Sequence, residues 1–258
     1  MNRKTAISLL LSAGLVAGSG TVLAAESETD LQKLAAEEKA LAITALGNMS
    51  EYLRSLDKFT VHAHVSIDEV LSNGQKVQLT KNVEVNANPP SSLMAMSSTR
   101  YSEREFYFDG KTFTLYTPRL GFYASSDAPA TIGEVVAKVR DEFGVEMPLA
   151  DLFYWGSDEA ATDAIEEAMI VGIDQIDGVS CNHFAFRQKE VDWQICISRG
   201  EAPLPLKLVI TSKEEAAQPQ HVAVMKWDTA PSLSTQSYTF APRDGDSKIS
   251  FGKVAADK

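Results

Sequence analysis

The sequence is poor in the residues that build catalytic and metal centres. Only two of its 258 residues are cysteines and only four are histidines. It contains no Gly-x-Ser-x-Gly nucleophile motif, no Cys-x-x-Cys pair and no glycine-rich phosphate loop. We therefore predict no catalytic residue, no metal site and no cofactor, and we interpret the protein as non-enzymatic. An unrecognised hydrolase stays open, because a catalytic triad is a spatial arrangement that composition does not reveal.

A long hydrophobic run is also absent once the first 24 residues are set aside. Arg3 and Lys4 precede the apolar stretch 7–16, and Ala24 ends a small-residue cleavage pattern. The stretch is shorter than the roughly 20 residues that a spanning helix needs. We expect residues 1–24 to be a signal peptide and residues 25–258 to form one periplasmic domain with no integral membrane segment. No cysteine lies near the cleavage point, so lipidation is not expected; an N-terminal anchor is the alternative.

Positive charge is scarce. The chain has 24 Lys and Arg against 35 Asp and Glu, a net charge of −11, and loss of Arg3 and Lys4 with the signal would make it −13. An acidic surface repels nucleic acid and anionic lipid head groups. We therefore expect no nucleic-acid partner.

Histidines and carboxylates form no recognisable constellation. His62 and His64 stand at i and i+2 on a predicted strand, where two imidazoles could share one metal ion, but no third ligand follows at metal-site spacing. We interpret them as exposed strand residues. Glu103, Glu105 and Asp192 are likewise predicted to mark a solvated face.

Periodicity predicts an α+β fold. Leucines recur at helical spacing from Thr29 to about Leu56, and Thr131-Ile132-Gly133-Glu134 has the pattern of a capping box that begins a second helix. A further short helix is predicted over Asp158 to Ala168. About five alternating strands are predicted between the first helix and the second, and five or six more after the short helices. This order is typical of one large antiparallel sheet with helices on one side.

Two hairpins are predicted with a definite register. A two-residue turn at Asp109-Gly110 would pair Phe106 with Phe113. In the second hairpin, a four-residue loop after Phe186 would place Cys181 directly opposite Cys196. Opposed positions bring Cβ atoms to about 4.5–5.5 Å, so we predict a Cys181–Cys196 disulfide.

The alternation gives the sheet one aromatic face. Its simplest interpretation is a core covered by the helices. The alternative is a cavity for an apolar ligand, because large curved sheets can outgrow what side chains fill. The predicted lining is Phe59, Val61, Phe106, Phe108, Phe113, Leu115, Phe184, Phe186, Trp193 and Ile195, and the predicted lid helix contributes Leu41, Leu46, Met49, Leu53 and Leu56.

Three segments resemble a known family. They are 106–113 with 122–124, 144–152, and 177–187 with 192–194. These segments resemble the domain of unknown function 2092, a family of predicted periplasmic proteins within the LolA/LolB lipoprotein-carrier-like superfamily. The resemblance implies a half-open barrel of about eleven antiparallel strands with helices over its concave apolar side. It transfers no catalytic residue.

Two functional hypotheses follow from this architecture. The first is a periplasmic binding or carrier protein for a hydrophobic ligand such as a lipid, an acyl chain or a lipidated protein. The second is an envelope sensor or adaptor whose cavity is filled by its own side chains and whose partner is another envelope protein.

Overall fold

The computed structural model describes residues 20–154 and 162–252. Contacts divide the chain into two compact units, Met1–Glu37 and Glu38–Lys258. Helix α1 (Gly20–Ser55) begins in the first unit, and its second half belongs to the other unit together with every described strand. Most of the predicted signal peptide, residues 1–19, lies outside the described residues.

Within the described residues, twelve strands form one unclosed sheet in the order β12-β6-β5-β4-β3-β2-β1-β11-β10-β9-β8-β7. All neighbours are antiparallel except β12 and β6. The predicted α+β fold with a large antiparallel sheet is confirmed, with one strand more than expected. The strands are β1 Phe59–Val70, β2 Lys76–Asn88, β3 Ser92–Ser98, β4 Glu103–Phe108, β5 Thr112–Thr117, β6 Phe122–Asp127, β7 Glu167–Ile176, β8 Val179–Arg187, β9 Val191–Ser198, β10 Pro205–Ser212, β11 Gln220–Asp228 and β12 Ser247–Lys248.

The helices follow the sequence pattern with one exception. Helix α2 (Ile132–Phe143) begins at the predicted capping box, where Thr131 and Glu134 bond each other's backbone N–H groups, and Gly144 ends it in the left-handed region. A single turn, α3, spans Asp151–Tyr154. Of the helix predicted over Asp158–Ala168, the described part contains only a 3-10 turn, Thr162–Ala164, and the prediction is wrong at its end, where β7 begins at Glu167. Residues 155–161 lie outside the described residues.

One face of the sheet carries the core. On β1 the residues Phe59, Val61, Ala63 and Val65 are buried, while His62 and His64 between them are exposed, as predicted. We call the first side the inner face and the other the outer face. Helices α1 and α2 pack on the inner face, where burying each large apolar side chain contributes about 1.5–3 kcal/mol.

Both predicted hairpin registers are displaced by two residues. Phe108, rather than Phe106, lies opposite Phe113. In the β8–β9 hairpin, His183 rather than Cys181 lies opposite Cys196, yet the disulfide between the two cysteines is present. A displacement of two keeps every side chain on its predicted face, since strand side chains alternate with period two.

The C-terminal segment crosses from the outer face to the inner face. Phe240 lies against three tyrosines of β4, β5 and β6 on the outer face. The chain then pairs with the edge strand β6 through β12, and Phe251 packs on the inner face against Phe113 and Phe143. Glu105, predicted to be solvated, is buried on this part of the outer face and accepts a hydrogen bond from the Tyr107 hydroxyl at 2.6 Å.

Candidate ligand-binding site

The ten predicted lining residues all lie on the inner face. Eight are buried in one continuous core with the helices; Leu115 and Trp193 are half-buried. Their rings pack directly, as in the stacked pair Phe186–Trp193 with centroids 4.1 Å apart. Of the ten, only Phe59 borders a cavity formed by described residues and detailed below. The middle of the inner face is thus a buried core, and the two cavities described next lie at its ends.

The predicted lid residues identify the side of α1 that faces the sheet. Leu46, Met49 and Leu53 are buried against the core, and Leu56 packs at its border. Leu41 does not share this side: its side chain is 59 % exposed. The inward position one residue further belongs to Ala42, because the buried residues of α1 recur at steps of three and four.

An open cavity of about 330 Å³ lies at one end of the inner face. We call it the mouth. The sheet contributes Ile67 of β1 and Ile210 of β10, which flank His221 of β11 in one cross-strand row. The cover over it is Val136 of α2 with the segment Met147–Ala150. Sequence reasoning missed the mouth, because its cover comes from a connection with no periodic pattern.

Lys81 is the unexpected residue of the mouth. It lies on β2 directly opposite the buried Val65, and the next inward positions of β2 are Val83, Val85 and Ala87, all buried. A lysine thus occupies the inner face where the alternation calls for an apolar residue. This interruption of the pattern was the available sequence signal.

Further charged groups surround Lys81. Arg140 and Glu146 line the same cavity, and the Arg140 side chain bonds the neighbouring Asp141 at 2.8 Å. Burial lowers the pKa of Lys81, the nearby Arg104 lowers it further, and Glu146 acts in the opposite direction with a smaller effect. The lining therefore has two cations, Lys81 and Arg140, and one carboxylate, Glu146, while Arg104 lies nearby and Asp141 pairs with Arg140. The chain as a whole has a net charge of −11.

A second cavity, of about 210 Å³, opens at the other end of α2. Leu53 of α1 and Phe59 of β1 form one wall, and Ile132 of α2 with Leu152 and Phe153 forms the other. The same covering elements, α2 and the segment leading to α3, therefore separate the two openings. Apolar side chains on a concave surface of this kind bind hydrocarbon without needing directional contacts.

The outer face offers a polar cleft beside His62 and His64. The imidazole of His62 is 3.5 Å from Glu84, and that of His64 is 3.2 Å from the amide oxygen of Asn82.

Within the described ranges, no group of three or more His, Cys, Asp or Glu residues has the arrangement of a metal site. In that same part of the chain, no helix is both long and apolar enough to cross a membrane.

Comparison with known proteins bears on family and fold. Residues 42–252 match the family described as "Predicted periplasmic protein (DUF2092)". No curated protein matches the sequence. One similar solved structure is LppX of Mycobacterium tuberculosis, with 10% identity, a TM-score of 0.46 and coverage of 74% of this chain and 98% of that one. LprF of Mycobacterium bovis has 14% identity and a TM-score of 0.43, with coverage of 74% of this chain and 93% of that one. A LolA superfamily protein of Nitrosomonas europaea has 8% identity and a TM-score of 0.37, with coverage of 77% of this chain and 97% of that one. At such identities the likeness concerns the fold alone.

Proposed function

Because this chain belongs to the DUF2092 family of predicted periplasmic proteins, we propose that it is a periplasmic binding or carrier protein for a hydrophobic ligand, acting without catalysis. The ligand is a lipid or another molecule with an acyl chain. The observation that carries the proposal is the mouth, where the apolar inner face of the sheet reaches solvent.

The geometry of the mouth supports entry of a hydrocarbon chain. Ile67 and Ile210 form the floor on either side of His221, and Val136 with Leu149 forms an apolar roof. Its volume of about 330 Å³ lies within the usual range for small-ligand pockets, roughly 300–1,000 Å³. The second cavity, beyond α2, offers further apolar space to a longer chain if the cover shifts.

Hydrophobic burial is the main favourable contribution to the free energy of such binding. Each methylene moved from water into an apolar site contributes about 0.8 kcal/mol. Eight buried methylenes would thus contribute about 6 kcal/mol before the cost of association is subtracted. A carrier needs affinity of this moderate kind, since it must also release its cargo.

Native mass spectrometry of protein purified from a periplasmic fraction without detergent tests this function. We expect a discrete adduct of lipid size, identified by organic extraction. Ile210→Trp, which fills the mouth, should abolish the adduct. Val209→Trp is the matched control, because Val209 is the adjacent residue on the outer face of the same strand and should leave the adduct unchanged.

A mass without adduct, before and after incubation with lipid vesicles, would contradict the proposal. The alternative from the sequence, an envelope adaptor that acts through a protein partner, would then be favoured. Equal adducts in Ile210→Trp and Val209→Trp would place the ligand outside the mouth.

A further inference from the structure

We propose that the hydrophobic ligand is an anionic amphiphile, whose carboxylate or phosphate head binds at Lys81 while its hydrocarbon tail enters the mouth. This inference rests on the proposed function and specifies the ligand class. It follows from the place of one lysine in the sheet.

Lys81 stands at the end of a cross-strand row of buried apolar residues. Starting from Lys81 on β2, the directly opposed positions of the successive strands are all buried and apolar. They are Val65 on β1, Ala223 on β11, Leu208 on β10, Ile195 on β9 and Phe184 on β8. Because these five residues are buried, the accessible apolar surface beside Lys81 is the adjoining row, where Ile67 and Ile210 line the mouth. A cation beside an accessible apolar surface is the arrangement that an anionic head joined to a hydrocarbon tail requires.

None of the ion pairs among the described residues includes Lys81. The surroundings of Lys81 raise the free energy of its charged form, because the side chain is half-buried and the nearby Arg104 repels the ammonium group. An anionic ligand group would offset both costs at once, because a half-buried charge is stabilised by a paired and hydrogen-bonded counter-charge.

The other groups of the rim favour the same sign of ligand. Arg140 and His221 line the mouth, and Arg104 occupies an inward position of β4 because it lies opposite Ser97, which is opposite Val83. Glu146 is the carboxylate on this wall. Asp141 pairs with Arg140, so three cations (Lys81, Arg104 and Arg140) stand against two carboxylates (Glu146 and Asp141) at or beside the mouth. In an otherwise acidic protein this local excess of positive charge attracts anions toward the opening.

Isothermal titration calorimetry with three ligands of equal chain length tests the inference. The ligands are dodecanoate, dodecyl phosphate and dodecanol, added to protein from which bound lipid has been removed. We expect the two anions to bind about tenfold more tightly than the alcohol, as a charge-assisted hydrogen bond allows. Whichever of the two anions binds with higher affinity indicates whether a fatty acid or a phosphate-headed lipid is the better ligand.

Lys81→Met should remove the preference, since it keeps the aliphatic stem but not the charge. Lys81→Arg should retain it. Lys226→Met is the matched control, because Lys226 is an exposed strand lysine on the outer face. Equal binding of all three ligands, or a preference unchanged in Lys81→Met, would overturn the inference and leave the proposed function standing. If none of the ligands binds, both fail.

Discussion

Cys181 and Cys196 are bonded diagonally across the β8–β9 ladder. His183 lies directly opposite Cys196, and Ser198 lies directly opposite Cys181. The Cα atoms are nevertheless 5.5 Å apart, and the bridge is buried on the outer face with Leu206. It therefore fixes the register of the two strands on the side of the sheet that faces away from the mouth.

Loss of this bridge should destabilise the protein without weakening ligand binding. Closing a loop with a sequence separation of 15 residues is worth about 3 kcal/mol in the free energy of unfolding. We expect the variant Cys181→Ala with Cys196→Ala to lose about that amount in urea denaturation. Reductant should lower the stability of the parent to the same level and leave the double variant unchanged. A parent that is insensitive to reductant would contradict the prediction.

Asp68 should govern part of the stability in acid. Its carboxylate joins three strands: Lys76 of β2 lies at 3.0 Å, the amide of Gln220 of β11 donates to it at 3.1 Å, and Asp68 itself belongs to β1. The hydrogen bond from Lys76 is the largest cause that lowers the pKa of Asp68 below 3.8. The folded state thus prefers the ionised carboxylate.

The sign of the pH dependence follows from that preference. The pKa of Asp68 is lower in the folded state than in the unfolded state, where it is about 3.9, so the ionised carboxylate stabilises the fold. This contribution is complete above the unfolded-state pKa and is lost as the pH falls through the folded-state pKa. We expect Asp68→Asn to be less stable than the parent at pH 6, and the difference to shrink in urea denaturation toward pH 3. A difference that stays constant over this range would contradict the assignment.

The capping box of α2 should control how firmly the cover of the mouth is held. Thr131→Ala removes the side-chain acceptor for the Glu134 amide, and caps of this kind are worth about 1 kcal/mol. We expect that loss in urea denaturation and faster hydrogen exchange in the first turn of α2. Thr131→Ser retains the hydroxyl and should behave as the parent; equal exchange in both variants would show that packing alone holds the helix.

On β1, β4, β5, β8 and β9 the sequence was sufficient to predict which side chains share the inner face, but in the two hairpins it did not predict which residues are opposed. Gly110 explains one displacement: it occupies the first central position of the turn with φ +87°, as a type II′ turn requires, so the turn lies one residue later than Asp109-Gly110. In the other hairpin, the bond from the Gln188 amide to the Val191 carbonyl closes a turn centred on Lys189 and Glu190, so the predicted four-residue loop was too long. Because side chains along a strand alternate with period two, the sequence pattern does not distinguish two registers that differ by two residues.

Contacts between residues distant in sequence explain the other features that the sequence did not predict. Glu105 is buried beside Tyr107 and Tyr116, on which Phe240 packs from more than 100 residues away, whereas its local pattern of charge predicted a solvated position. The significance of Lys81 likewise depends on four strands that are distant in sequence. Helix α1 passes through Gly47 because Leu46 and Met49 on either side are buried against the sheet, and tertiary packing outweighs the helix propensity of one glycine.

Phe240 should hold the C-terminal segment on the outer face. Its ring centroid lies 5.5 Å from that of Tyr107, 5.0 Å from that of Tyr116 and 4.9 Å from that of Tyr123. Phe240→Ala removes these contacts, and for a half-buried ring we expect a loss of about 2 kcal/mol.

The same substitution should loosen the edge of the sheet. The amides of Ser247 and Ile249 donate to carbonyls of Gly121 and Tyr123, and these bonds form only while the segment lies along β6. We expect both amides to exchange faster with solvent in Phe240→Ala, while Phe240→Leu, which keeps an apolar side chain among the tyrosines, shows an intermediate rate. Because Phe251 packs separately on the inner face, residues around Phe113 should keep their protection. If exchange rose equally around Phe113, the segment would be released as one unit, and Phe240 would hold both faces.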